Sequence, residues 1–162
     1  MKEFLLFLPI TAVYLAFKST LFPDFPLPDL PLIIVFFMAY RRPSLEGALL
    51  GFVLGYMDDA FNGGIIGSTS FSLVFVFLVI HLFARKLHFS TTALRAGGVA
   101  VAMLIKGLLM YLVIRSANAS ASFFTFVLLH ALVTGICAPP VIMALSWLAE
   151  LVSPQKFKDD GN

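Results

Sequence analysis

The chain has 162 residues, of which 60% are hydrophobic and only 12% charged, with a mean hydropathy of +0.97 and a net charge of +2. Soluble domains carry roughly a quarter charged residues; here the apolar residues come in long runs, which excludes an ordinary soluble domain and points to a chain dissolved in lipid. The small net charge argues against a nucleic-acid partner, and the lone Cys137 excludes a disulfide or a thiolate metal site built from this chain.

Six apolar segments are separable, at about 4–22, 27–40, 45–61, 68–84, 96–114 and 122–152. They lack the alternation of barrel strands, so the predicted fold is an all-α integral membrane protein: one six-helix transmembrane bundle over about 1–152, followed by a polar cytoplasmic tail at 153–162. The first segment follows Lys2 and imitates a signal peptide, but Lys18-Ser19-Thr20 offers no small-x-small cleavage site, so it is read as a retained span. The second opens on Pro28-Asp29, where Asp29 can cap the helix and Pro31 is tolerated in the first turn. Arg41, Arg42 and Glu46 then flank a tight Pro43-Ser44 turn, a charged cytoplasmic hairpin that stabilises only weakly if exposed.

The third segment carries Gly47, Gly51 and Gly55 at four-residue spacing, which lets a second helix approach closely in lipid. That helix belongs either to this bundle or to a partner protein. At about 100° per residue, the glycines fall near 0°, 40° and 80°, Asp58 near 20° and Asp59 near 120°. Asp58 thus faces whatever packs on the stripe, and Asp59 lies beyond its edge. Gly63 or Gly64 can end the helix in left-handed geometry, and Ser68 can cap the fourth segment. Two acids at a helix C-terminus need compensation. Lys106, midway along the fifth segment, is costly in hydrocarbon and is expected to point inward and reach one of these aspartates, directly or through water. The sixth segment holds His130 and Thr134 on one face, suited to an interhelical hydrogen bond, and Pro139-Pro140, where a kink or break is expected. Beyond it, Val141–Val152 with Trp147 is expected near the cytoplasmic interface.

With the N-terminus inside, Lys2, Arg41, Arg42, Arg85, Lys86, Arg95, Lys156 and Lys158 are cytoplasmic, while Lys18 and Arg115 are outside. That asymmetry predicts six crossings with both termini in the cytoplasm. Asp24, Asp29, Asp58 and Asp59 then collect at the outer side as an acidic patch.

Catalysis is disfavoured. Asp58-Asp59 superficially matches the aspartate-rich motif of prenyl-transferring enzymes, but no second cluster exists to hold magnesium. Adjacent side chains on a helix point about 100° apart and make no acid–base dyad. No histidine spacing supplies three metal ligands, and no cofactor is implied. Asn118-Ala119-Ser120 matches a glycosylation sequon of weak specificity.

Pro28-Asp29-Leu30, an apolar run and Arg41-Arg42-Pro43-Ser44-Leu45-Glu46-Gly47-Ala48-Leu49-Leu50-Gly51-Phe52 resemble the second and third spans of the bacterial rod shape-determining membrane protein family MreD. Asp59-Ala60-Phe61-Asn62-Gly63-Gly64-Ile65-Ile66-Gly67 resembles that family's Asp-x-x-Ser-Gly-x-Pro-x-Gly turn, with Asn62 where serine is common and Ile65 or Ile66 where proline is usual. The resemblance implies a non-enzymatic inner-membrane scaffold or regulator of the elongation machinery. Its partners would be an MreC-like single-span protein and, through it, MreB and the RodA–PBP2 peptidoglycan synthase. It also implies an architecture similar to the six-helix substrate-binding subunits of energy-coupling vitamin transporters, in which the short second and third segments would leave an outer recess with Asp58 or Asp59 at its rim. The alternative function is accordingly a small-molecule-binding transporter subunit. On this alignment Asp59 carries the family's role and Asp58 serves local packing.

Overall fold

The computed structural model describes residues 2–21, 27–41, 45–62, 65–84, 91–116 and 123–152. These form six helices, and no strand occurs among them: α1 (Lys2–Leu21), α2 (Leu30–Arg41), α3 (Leu45–Asn62), α4 (Ser68–Ala84), α5 (Thr92–Ser116) and α6 (Phe123–Val152). Arg42, Gly63 and Gly64, the Pro43-Ser44 turn, the sequon and the tail lie outside the described residues.

The bundle is organised around α2. From Leu30 to Ala39 it is apolar on every side, and Pro31 through Ala39 are all buried. A helix apolar all round belongs in an interior, and α2 packs against all five other helices. At about 1.5 Å per residue it is roughly 18 Å long, well short of a 30 Å hydrocarbon core. It is wrapped by the other helices. Phe7 of α1 meets Phe37 of α2 edge-on with centroids 6.1 Å apart, and Leu50, Leu54 and Leu73 complete the surrounding core.

The glycine stripe of α3 is occupied by the bundle's own helices. Gly47 faces Phe77 and Met38, Gly51 faces Val35 and Leu73, and Gly55 lies on the backbone of Thr69 and Ser70. A Cβ at Gly55 would stand 2.5 Å from Ser70 N. The stripe therefore serves α2 and α4, and its alternative use by a partner's helix is corrected: all three glycines are buried.

The expected break in the sixth segment does not occur. Helix α6 is one element with Pro139 and Pro140 inside it. Ala131, Thr134, Gly135, Ala138, Ile142, Leu145 and Ala149 are buried, a spacing of three and four residues that passes through the proline pair without changing face. Both halves pack on one core, and this outweighs the cost of interior prolines. Val141–Val152 is part of the bundle through Ile142, Leu145 and Ala149, with Trp147 exposed on its outer side.

Among the described residues two stretches, Ala93–Val113 and Val127–Ala149, are long and apolar enough to cross a membrane; Leu6–Leu21, Leu30–Arg41 and Ser68–Phe83 are shorter apolar helices.

Candidate functional site

Three buried acids and one buried lysine converge where α2 begins and α3 ends. Asp29 immediately precedes α2, and its Oδ1 accepts a hydrogen bond from Leu32 N at 3.2 Å, the geometry of an N-cap. Its other oxygen, Oδ2, is bonded directly by the Lys106 ammonium of α5. The same ammonium stands 3.5 Å from Asp58 Oδ2 at the end of α3. Asp58 Oδ1 accepts from Asn62 Nδ2 one turn later, at 2.6 Å. Exposure is 5% for Asp29, 7% for Asp58 and 6% for Lys106, so water does little to screen these charges.

Two further helices join through the segment entering α2. Tyr14 of α1 donates its hydroxyl hydrogen to the Pro28 carbonyl, and Thr134 Oγ1 of α6 accepts from Asp29 N at 3.2 Å. Lys18, near the end of α1, is a second positive charge acting on Asp29 and Asp58. Two lysines thus offset two acids.

Asp59 has a different task. Its Oδ2 accepts from Gly67 N at 2.8 Å and Thr69 N at 3.1 Å, and Ser68 Oγ reaches its Oδ1 at 3.4 Å. These donors open α4, so a carboxylate from the end of α3 sits on the exposed amides of the next helix, where the helix dipole favours negative charge. Gly67 adopts φ 94°, a left-handed value that glycine takes without steric cost, and this turns its amide toward Asp59. Ser68 does not cap α4 as expected; it lies in the first helical turn and donates to Asp59.

Each acid at the end of α3 is thereby compensated separately: Asp58 by Lys106, Asp59 by the start of α4. Lys106 points inward as its position demands, yet its direct partner is Asp29, with Asp58 the second acid and Asp59 committed elsewhere. The acidic outer patch and the rim position for Asp58 and Asp59 are corrected, because Asp29, Asp58 and Asp59 are all buried. Burial follows from the pairing: a carboxylate leaves water only when matched by a cation or several donors. Asp24 is not among the described residues.

Sequence reasoning misses Tyr14 and Thr134 as members of this cluster. A hydroxyl in an apolar span signals the need for a partner, but does not say which one. In the hairpin between α2 and α3, Arg41 places its guanidinium 5.3 Å from the Phe37 ring centroid, and Glu46 is exposed in the first turn of α3.

The arrangement is suited to holding helices in place. Every acid in it accepts hydrogen bonds from fixed donors, and Asp58 and Asp59 face different partners. Among the described residues no group of three His, Cys, Asp or Glu could hold a metal ion. Comparison with protein-family models, with curated proteins and with solved structures finds no match.

Proposed function

We propose that this chain is a multi-pass protein of the bacterial inner membrane, with six helical segments and both termini in the cytoplasm. It acts without catalysis, as an MreD-like scaffold or regulator of the cell-elongation peptidoglycan synthesis complex. The observation that carries the membrane reading is the distribution of polarity. Large apolar side chains point outward on five helices, among them Phe17, Phe52, Phe71, Leu108 and Ile136, whereas Lys106, Asp29 and Asp58 are buried. Water would favour the reverse; lipid favours this arrangement, with intramembrane charges facing the bundle interior and pairing there.

Support for the scaffold reading comes from the segment that resembles the family's turn. Its first residue, Asp59, and its last, Gly67, bond to each other, so the motif acts as a unit that locks α3 to α4. A buried ion pair is costly to desolvate and adds little net stability, but it penalises every packing in which the charges fail to meet. Such a pair fits a subunit whose work is to present a fixed surface to an MreC-like single-span partner and, through it, to MreB and RodA–PBP2. Because the glycine stripe is filled internally, that partner has to dock on one of the outer apolar faces.

Affinity isolation from native membranes tests this reading. Recovery of an MreC-like protein with cell-wall synthase components is expected. Recovery of an energy-coupling ATPase module instead would transfer the chain to the alternative, a small-molecule-binding transporter subunit. Depletion that leaves rod-shaped growth intact would overturn the scaffold role.

A further inference from the structure

A groove of about 460 Å³ runs between α4 and α5 and belongs to no part of the acid–lysine cluster. Phe36 and Ala102 lie deep in it and are buried; Phe83, Leu94 and Val101 form its edges and are exposed. Every lining side chain is apolar, so only hydrocarbon can fill the groove without losing hydrogen bonds. Gly97 lies on its wall, and a Cβ there would meet no atom within 4 Å. This glycine leaves open space that the protein's own packing does not use.

Length and charge identify the occupant. From Leu94 to Ile105 the groove follows α5 for about 16 Å at 1.5 Å per residue, roughly half of a 30 Å hydrocarbon core and so the depth of one leaflet. One end is basic. Arg95, next to Leu94, holds its guanidinium 5.7 Å from the Tyr40 ring centroid, and Tyr40 in turn packs against Phe36 with centroids 5.6 Å apart. Arg41 lies at the same end of α2. An apolar channel of leaflet depth with the Arg95 guanidinium beside its Leu94 end matches an anionic amphiphile, tail inward and phosphate at the guanidinium.

We propose that the α4–α5 groove binds one acyl chain of an anionic phospholipid from the leaflet on the Arg41 and Arg95 side, with the lipid phosphate held at Arg95. This rests on the membrane reading above. A partner's transmembrane helix is a different occupant, and a bound tail would have to leave before one could enter.

The test uses the full chain purified in detergent and titrated with phosphatidylglycerol or phosphatidylcholine, with bound lipid counted by native mass spectrometry and unfolding followed by Trp147 fluorescence. Wild type is expected to prefer phosphatidylglycerol about fivefold, the factor that one basic residue near an anionic headgroup supplies. Arg95→Gln should bring the preference close to onefold while lipid still binds. Gly97→Phe should abolish lipid binding and leave the unfolding temperature in detergent alone unchanged. Val101→Phe at the exposed edge gives the same readout if Gly97→Phe misfolds. Equal binding of both lipids by wild type would overturn the proposal, as would full lipid retention in the filled variants or photo-crosslinking from position 97 to a polypeptide instead of lipid. Extraction of wild type from native membranes by alkaline carbonate would overturn the membrane reading and the proposal with it. Membrane-retained protein that shows no lipid preference would overturn the proposal alone.

Discussion

Replacing Lys106 by Met removes the only described cation in direct contact with Asp29 and Asp58. The side chain is 6% exposed and the acids 5% and 7%, so solvent cannot replace it. If the lysine contributed only an interhelical hydrogen bond, the loss would be about 0.6 kcal/mol, the average for such bonds in lipid. Stranding buried charge costs about 3–5 kcal/mol, and this larger figure is expected, reduced somewhat by Lys18. Asp29→Asn should cost less than Lys106→Met, because the amide oxygen still accepts from Leu32 N and Asp58 still faces the lysine. The triple variant Lys106→Met/Asp29→Asn/Asp58→Asn leaves only the half-buried Lys18 without its acids and should recover most of the loss. Equilibrium unfolding in mixed detergent micelles measures the series, and pairwise cycles extract the coupling. A Lys106→Met protein within about 0.5 kcal/mol of wild type, the range of an ordinary surface change, would refute the reasoning. So would a triple variant no more stable than the single one.

Asp59→Ala should cost about 1–2 kcal/mol by uncapping α4, with Asp59→Asn milder; hydrogen exchange at Gly67 and Thr69 should accelerate while that of the α5 interior does not. Gly55→Ala forces a methyl onto the Ser70 backbone and should cost about 1–3 kcal/mol, whereas at Gly51 the nearest atom is a Val35 methyl 3.3 Å away, and alanine there should cost less than about 1 kcal/mol. Comparing the two unfolding temperatures checks the difference, and equal losses would refute the backbone argument. Thr134→Val deprives Asp29 N of its acceptor and should cost about 1 kcal/mol, measured in the same way.

The bounds of the helices are legible in the chain because the apolar runs are interrupted by residues that stop them. The segments read as 45–61 and 68–84 are the helices Leu45–Asn62 and Ser68–Ala84, separated by a stretch rich in glycine. The proline pair is the exception. Local rules predict a kink or break at Pro139-Pro140, yet the helix is not interrupted and its buried face runs past the pair, because both halves pack on one core. In the candidate site, the need of Lys106 for a partner is readable from the cost of a charge in hydrocarbon, as is the capping role of Asp29 from its place before an apolar run.

Composition and periodicity by themselves determined that this chain is helical and apolar, that its glycines form one face of α3, and that its few internal charges demand compensation. They could not determine which charge meets which. Asp29 and Lys106 are 77 residues apart, and their contact depends on how α2 and α5 are rotated and offset within the bundle. Only the tertiary packing sets those offsets. It gave Asp29 to the lysine and placed Asp58 beside it. It also turned Asp59 onto the start of α4, because a carboxylate buried at that point finds three donors there.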